Sequence, residues 1–281
     1  MSILNADLRT ALAGVTGLLI DVDGVLTLRG RPIEGAAEAL AHLDRAGLPY
    51  LLATNVSAVS RATLASRLGE RLGQPVAAER IVSALSATAA LTARRFPGRP
   101  LGLMATPDAA TEFAGQETTT PGRAQAEGLA LAAVVVGDSP EMMGHDELDA
   151  AFRQIRGGAR LVAMHRGPWW LGEHGPTLDT GAYAAALEFA TGRRAILGGK
   201  PATSFFRQAC ARLGLPADQV AMIGDDPRAD ISGARRAGLR TVLVTGGKTA
   251  PADLDGLPLR ARPQALATGL DEAVAALDIG A

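Results

Sequence analysis

Short apolar runs alternate with amphipathic stretches of helical period along most of this chain. In the first third, VTGLLI reads as a strand. Glu34 to Ala46 then sets Ala36, Ala39, Leu40 and Leu43 on one helical face, and Gly47 is placed to end the helix. LPYLLAT is the next strand, followed by a helix carrying Leu64, Leu68 and Leu72. The last third repeats the scheme. Ala195 to Gly198 is a short strand, and a helix carrying Phe206, Ala209 and Leu213 stops at Gly214. QVAMIG is a strand, Ile231 to Ala237 belongs to a helix closed by Gly238, and RTVLV is a further strand. Runs that are apolar on both faces and separated by helices predict a parallel sheet covered on both sides.

The middle alternates too. LGLMA, LALAAVVVGD and ARLVAM read as strands, and Leu85 to Arg95, His145 to Ile155 and Gly181 to Thr191 as helices. AGQETTTPGRAQAEG is polar and turn-rich, and reads as a surface loop. At 281 residues the chain suits two domains. Residues 1–82 and 195–281 form one α/β domain in this reading, and residues 83–194 form a second α/β domain inserted into it. The hinges fall near Ser83 and near Arg193 to Gly198.

Composition narrows the function classes. A net charge of -1 with 20% charged residues gives no basic stripe for nucleic acid and no polybasic patch for a membrane surface. Any anionic substrate must be handled by a few positioned groups. No apolar run is long enough to span a bilayer, and MSILNADLRTALAG lacks the basic start and cleavage site of a leader. A single cysteine, Cys210, forms no internal disulfide and fits a cytoplasmic location. It sits at helical spacing from Phe206 and Leu213 and reads as a packed thiol rather than a nucleophile.

Four short segments carry candidate chemistry. DVDGV follows the first strand, so Asp21 and Asp23, two residues apart in extended backbone, face one side, and Gly24 turns the chain. TNVS follows LPYLLA, where the Thr54 hydroxyl and the N–H groups around Asn55 would seat a phosphate ahead of a helix, or simply cap it. GKP places Lys200 after AILG and before Pro201. GDDPRAD groups Asp225, Asp226 and Asp230 at a strand end and helix start. Each alone has a bland reading as a turn, a cap or a surface charge. Together they supply carboxylates for a hard cation, a hydroxyl for phosphate and a lysine to neutralise it. An anionic Asp21 approaching phosphate within about 4 Å is repelled by about 4 kcal/mol even at an effective dielectric near 20, so neutralisation must precede attack.

Acid pair, Thr-Asn, Lys and acid cluster, in that order, resemble the haloacid dehalogenase (HAD) superfamily over essentially the whole length. The insert between the Thr and Lys segments resembles the C2-capped branch, subclass IIA. GPTLDTGAYAAALEFATGRRAILGGKPATSFF and VAMIGDDPRADISGARRAGLRTVLVTGGK are similar to the phospholysine/phosphohistidine inorganic pyrophosphate phosphatase group. The resemblance implies a Rossmann-like parallel-sheet core, a C2-type α/β cap that closes over the site, and dependence on Mg²⁺. It implies Asp21 as the nucleophile that becomes an aspartyl phosphate, and Asp23 as general acid and then base. Thr54, Asn55 and Lys200 would hold the phosphoryl group. Asp21, the Asp23 backbone carbonyl and Asp225 would bind the metal, with Asp226 and Asp230 completing its surroundings.

Substrate choice is expected in the cap. MHRGPWWLGEHGPTLDTGAY holds Trp169 and Trp170, His174, Arg166 and Glu173. It reads either as a substrate loop with a stacking platform and a cationic handle, or as an anchor for a loop or a cap-to-cap homodimer contact. His145 reads as a helix N-terminal residue without a catalytic task, and His42 as solvated or packed. The expected partner is a small phosphorylated substrate: a monoester, a phosphoamidate or pyrophosphate. A phosphomutase, a phosphonate-cleaving enzyme and a binding protein without turnover are the competing readings. A dinucleotide oxidoreductase is disfavoured because no G-x-G-x-x-G follows the first strand.

Overall fold

The computed structural model describes residues 7–172, 174–245 and 256–277. It divides into two compact units, one of Met1–Thr54, Leu64–Val82 and Lys200–Ala281, the other of Asn55–Thr63 and Ser83–Gly199.

The first unit is built on a six-stranded sheet. Its order is Ala265–Ala267, Arg240–Val244, Val220–Gly224, Gly17–Ile20, Tyr50–Thr54 and Ile81–Ser83. Gly17–Ile20 is central and parallel to both neighbours, with Leu19 level with Met222 on one side and Leu51 on the other. Leu18, Leu19 and Ile20 are completely buried, as the unbroken apolar run requires of a strand covered on both faces. The helices Ala36–Arg45 and Thr203–Leu213 bury Leu40 and Leu43, and Phe205 and Phe206, respectively. Removing such a side chain to alanine typically costs about 2–5 kcal/mol.

The second unit has a five-stranded sheet in the order Ile196–Leu197, Arg160–Ala163, Ala133–Val136, Leu101–Met104 and Thr118–Thr119, with every pair parallel. Its period of two is explicit. Ala133 and Val135 enter a core with Leu85, Leu103 and Phe113, while Val134 and Val136 enter the opposite core with Ala151, Ile155 and Leu187. The helix Ala84–Arg95 opens on a reciprocal cap, in which Ser83 and Ser86 side chains each accept from the other's backbone N–H. The hairpin Trp169–Gly172 with Gly175–Leu178 forms a separate two-stranded sheet.

Two local placements differ from the sequence reading. Ile196–Leu197 pairs with Val162 and Ala163, so this strand extends the second sheet and not the first. The TTTPGRAQAEG stretch is not a loop throughout: Thr118–Thr119 is an edge strand, and Pro121–Ala126 is a helix. Thr120 caps that helix by accepting from Arg123 N–H, and Pro121 suits a first helical position where no N–H is needed.

Candidate active site

In the first unit the chain runs outward from Gly17–Ile20 in one direction, through Tyr50–Thr54, and later in the other, through Val220–Gly224. The carboxyl ends flanking that reversal are where open α/β sheets bind ligands. Asp21 leaves the central strand there, its N–H donating to Ile223 O at 2.9 Å. Thr54 closes its strand and is buried, and Asp225 follows Gly224.

One carboxylate oxygen from each of Asp21, Asp225 and Asp230 lies within 4.8 Å of the others. All three are buried, and so is Lys200, 2% exposed. The Lys200 Nζ donates to Asp21 Oδ1 at 2.8 Å and to Ala53 O at 2.9 Å. It also stands 2.6 Å from Asp230 Oδ1, as a second ion pair. Burial pulls the ammonium down, but Asp21 and Asp230 outweigh it, and the net displacement is upward. Burial and the like charge of Asp21 push Asp230 well above the usual carboxylate range, against the pull of Lys200. Three buried carboxyl groups gather round a single lysine, a deficit of positive charge inside the cluster. An all-oxygen donor set with that deficit fits a hard divalent cation such as Mg²⁺.

Local backbone makes this crowding feasible. Gly24 turns with φ +99° beside the Asp225 carboxylate, and a Cβ on Gly224 would meet Asp230 Oδ2 at 2.3 Å. Pro227–Ile231 is a wide π-type turn, a rare form frequent at functional sites. Asp226 caps it by accepting from Arg228 and Ala229 N–H, and Asp230 Oδ2 accepts from Asp226 N–H. Asp230 is thereby swung into the cluster, and Asp226 is turned to the backbone. Asp23 is exposed and outside the three-acid group, accepting from Thr27 Oγ1 at 3.3 Å. Asn55 belongs to the other unit, where its Oδ1 packs against Gly199.

The haloacid dehalogenase-like hydrolase family model matches residues 18–118, and a HAD-hydrolase-like model matches residues 197–273. The human phospholysine phosphohistidine inorganic pyrophosphate phosphatase is 34% identical over 248 residues, 86% of this chain and 87% of that protein. The chain belongs to the haloacid dehalogenase-like hydrolase family, on its phosphatase branch. Among solved structures, the p-nitrophenyl phosphatase from Archaeoglobus fulgidus superposes with TM-score 0.84 at 29% identity, over 94% of this chain and 99% of that one. The glycerol phosphate phosphatase from Mycobacterium tuberculosis, in complex with magnesium, gives TM-score 0.83 at 30% identity, over 94% and 77%.

The outlying candidates of this hydrolase are less convergent. Trp169 and Trp170 lie on the hairpin, 58% and 47% exposed, and His174 is exposed at its turn. Glu173 lies outside the described residues. The Arg166 guanidinium is engaged twice by Glu188, at 2.5 and 3.1 Å. His145 begins a helix with its side chain exposed, and His42 is exposed on another. Cys210 is packed, and burial pushes its thiol up to about 11. Sequence reasoning overlooked Ser57, His165 and Asp179, which meet in the second unit. A histidine directly following the predicted strand ARLVAM was the available signal.

Proposed function

We propose that this hydrolase is a Mg²⁺-dependent phosphatase that cleaves a small phosphorylated substrate through an aspartyl phosphate on Asp21. The observation that carries the reading is the buried Asp21 carboxylate, held 2.8 Å from the Lys200 ammonium beside Asp225 and Asp230. Lys200 orients one Asp21 oxygen and leaves the other for attack on phosphorus. The P–O or P–N bond to the leaving group then breaks, and Asp23 supplies the proton that group needs. Asp23, accessible to solvent, next takes a proton from water, which attacks the acyl phosphate and restores the Asp21 carboxylate with release of phosphate. The Thr54 hydroxyl and Asn55 hold the phosphoryl oxygens.

Asp21, Asp225 and the Asp23 backbone carbonyl would hold the metal, with Asp230 beside them. Bound there, the cation supplies positive charge against the developing phosphoryl charge. Family likeness favours phosphate monoesters, phosphoamidates and pyrophosphate as substrates. These are the kinds of compound named for the relatives. No helix among the described residues is long and apolar enough to cross a membrane.

The test is a panel of p-nitrophenyl phosphate, glycerol phosphate, phospholysine and pyrophosphate, assayed as kcat/KM across Mg²⁺ concentrations. Metal-dependent phosphate release supports the reading. No release from any member at any Mg²⁺ concentration would favour a binding protein that keeps the fold without turnover.

A further inference from the structure

The second unit contains a buried histidine that the proposed chemistry does not use. His165 lies two residues beyond the strand Arg160–Ala163 and is 5% exposed. The Gly167 N–H donates to His165 Nδ1 at 3.1 Å, so that nitrogen carries the lone pair and the proton sits on Nε2. Nε2 faces Ser57 Oγ at 3.1 Å and Asp179 Oδ1 at 3.4 Å. Asp179 is itself fixed, since the same oxygen accepts from Thr180 N–H at 2.7 Å. The trio resembles a nucleophile, base and orienting acid, but the nitrogen facing Ser57 already bears its hydrogen. His165 therefore does not take a proton from Ser57; it donates to it.

What this donor holds is informative. Ser57 lies three residues beyond Thr54, in a segment tied to the second unit at further points. Thr106 Oγ1 donates to Ala58 O at 2.7 Å, and Ser60 N–H donates to Asp108 at 2.8 Å. The same strand end also grips the chain leading into Lys200: Gly198 N–H donates to Ala163 O at 3.0 Å, and Gly199 N–H to Met164 O at 2.7 Å. Between the two segments there is no spare room. A Cβ on Gly199 would sit 2.8 Å from Asn55 Oδ1 and 2.7 Å from Met164 O. One strand end thus carries both segments that the mechanism needs, one leaving Thr54 and one entering Lys200.

We propose that His165 is a positioning residue whose bond to Ser57 holds Asn55–Ser57 against Gly198–Gly199, and so fixes the placement of Asn55, which in the reading above holds a phosphoryl oxygen. The inference rests on the phosphatase reading above. Loss of the bond lets the Asn55 segment shift, and a shift of about 1 Å at a phosphoryl group costs about 100-fold in rate.

The experiment measures kcat and KM for p-nitrophenyl phosphate, with melting temperature, for the full-length wild type, His165→Ala, Ser57→Ala, the double variant, His165→Gln and Asp21→Asn. We expect kcat to fall about 100-fold in either alanine variant with KM within a few-fold. We expect the double variant to be no worse than the singles, because both remove one interaction. His165→Gln, whose amide nitrogen reaches the place of Nε2, should recover most of the rate. Ser57→Ala removes a single oxygen and keeps the test open should His165→Ala fail to fold. Wild-type kcat in Ser57→Ala, additive losses, or a lowered melting temperature with kcat intact would overturn the positioning role while Asp21→Asn remains inactive. Hydrolysis that survives Asp21→Asn would instead overturn the phosphatase reading, and the positioning role with it.

Discussion

A methyl group placed on Gly24 would stand 1.9 Å from Asp225 Oδ2, so these two residues, 201 apart in the chain (225 − 24), pack backbone against carboxylate. The glycine of D-x-D-G is therefore more than a turn residue. Its φ of +99° and its missing side chain let the loop after the central strand pass directly over a proposed metal ligand. Gly24→Ala should displace Asp225 and raise the Mg²⁺ concentration for half-maximal hydrolysis by about 10–100-fold, the usual cost of disturbing a ligand's support. Metal titrations of the two proteins check this; an unchanged half-point contradicts it.

Asp21 and Lys200 should separate stability from activity in opposite ways. Asp21→Asn removes one of the three clustered carboxylates, so without metal its melting temperature should equal or exceed the wild-type value while turnover is lost. Lys200→Met removes the ammonium 2.8 Å from Asp21 and leaves buried carboxylates unpaired, for an expected loss of about 3–5 kcal/mol. Chemical denaturation of the two metal-free variants measures both.

His165 gives a pH signature. Burial holds its pKa below the ordinary 6.5, outweighing the pull of Asp179. As pH drops below 6.5 the unfolded chain takes up a proton that the folded imidazole refuses until lower pH. Stability is thus fully present above that value and declines as pH falls toward the folded pKa. The wild type should lose more melting temperature than His165→Gln between about pH 7.5 and about pH 5.5. Parallel slopes in the two proteins would contradict the assignment.

Arg166 offers a contrasting expectation. Its pairing with Glu188 occupies the guanidinium, which is 39% exposed along its side chain. Arg166→Ala should cost no more than about 1 kcal/mol and leave KM for small phosphate esters within about twofold. A KM raised tenfold or more would show Arg166 to be a substrate handle.

Legibility from sequence followed locality. Asp21, Thr54 and Asp225 could be placed because each directly follows an apolar run, and a strand end fixes position almost by itself. Asp230 was visible as an acid near a helix start. Its place beside the metal came only from the family resemblance, because spacing alone does not reveal a π-type turn capped by Asp226 or the space left by Gly224. Ile196–Leu197 was recognisable as a strand but not as a partner of Val162 and Ala163, since two apolar residues carry no information about which sheet they join. The helix at Pro121 was obscured by a composition that suits loops equally well, although Thr120-Pro121 is a competent cap. Ser57 and His165, 108 residues apart, left no periodic trace at all.

The central claim is that Asp21 is phosphorylated during turnover. Acid quench of the full-length protein within the first turnovers on p-nitrophenyl phosphate with Mg²⁺, followed by peptide mass spectrometry, tests it directly. A phosphoryl group on the peptide containing Asp21, absent in Asp21→Asn, is the predicted result. Rapid phosphate release with every Asp21 peptide unmodified, or undiminished turnover in Asp21→Asn, would contradict it.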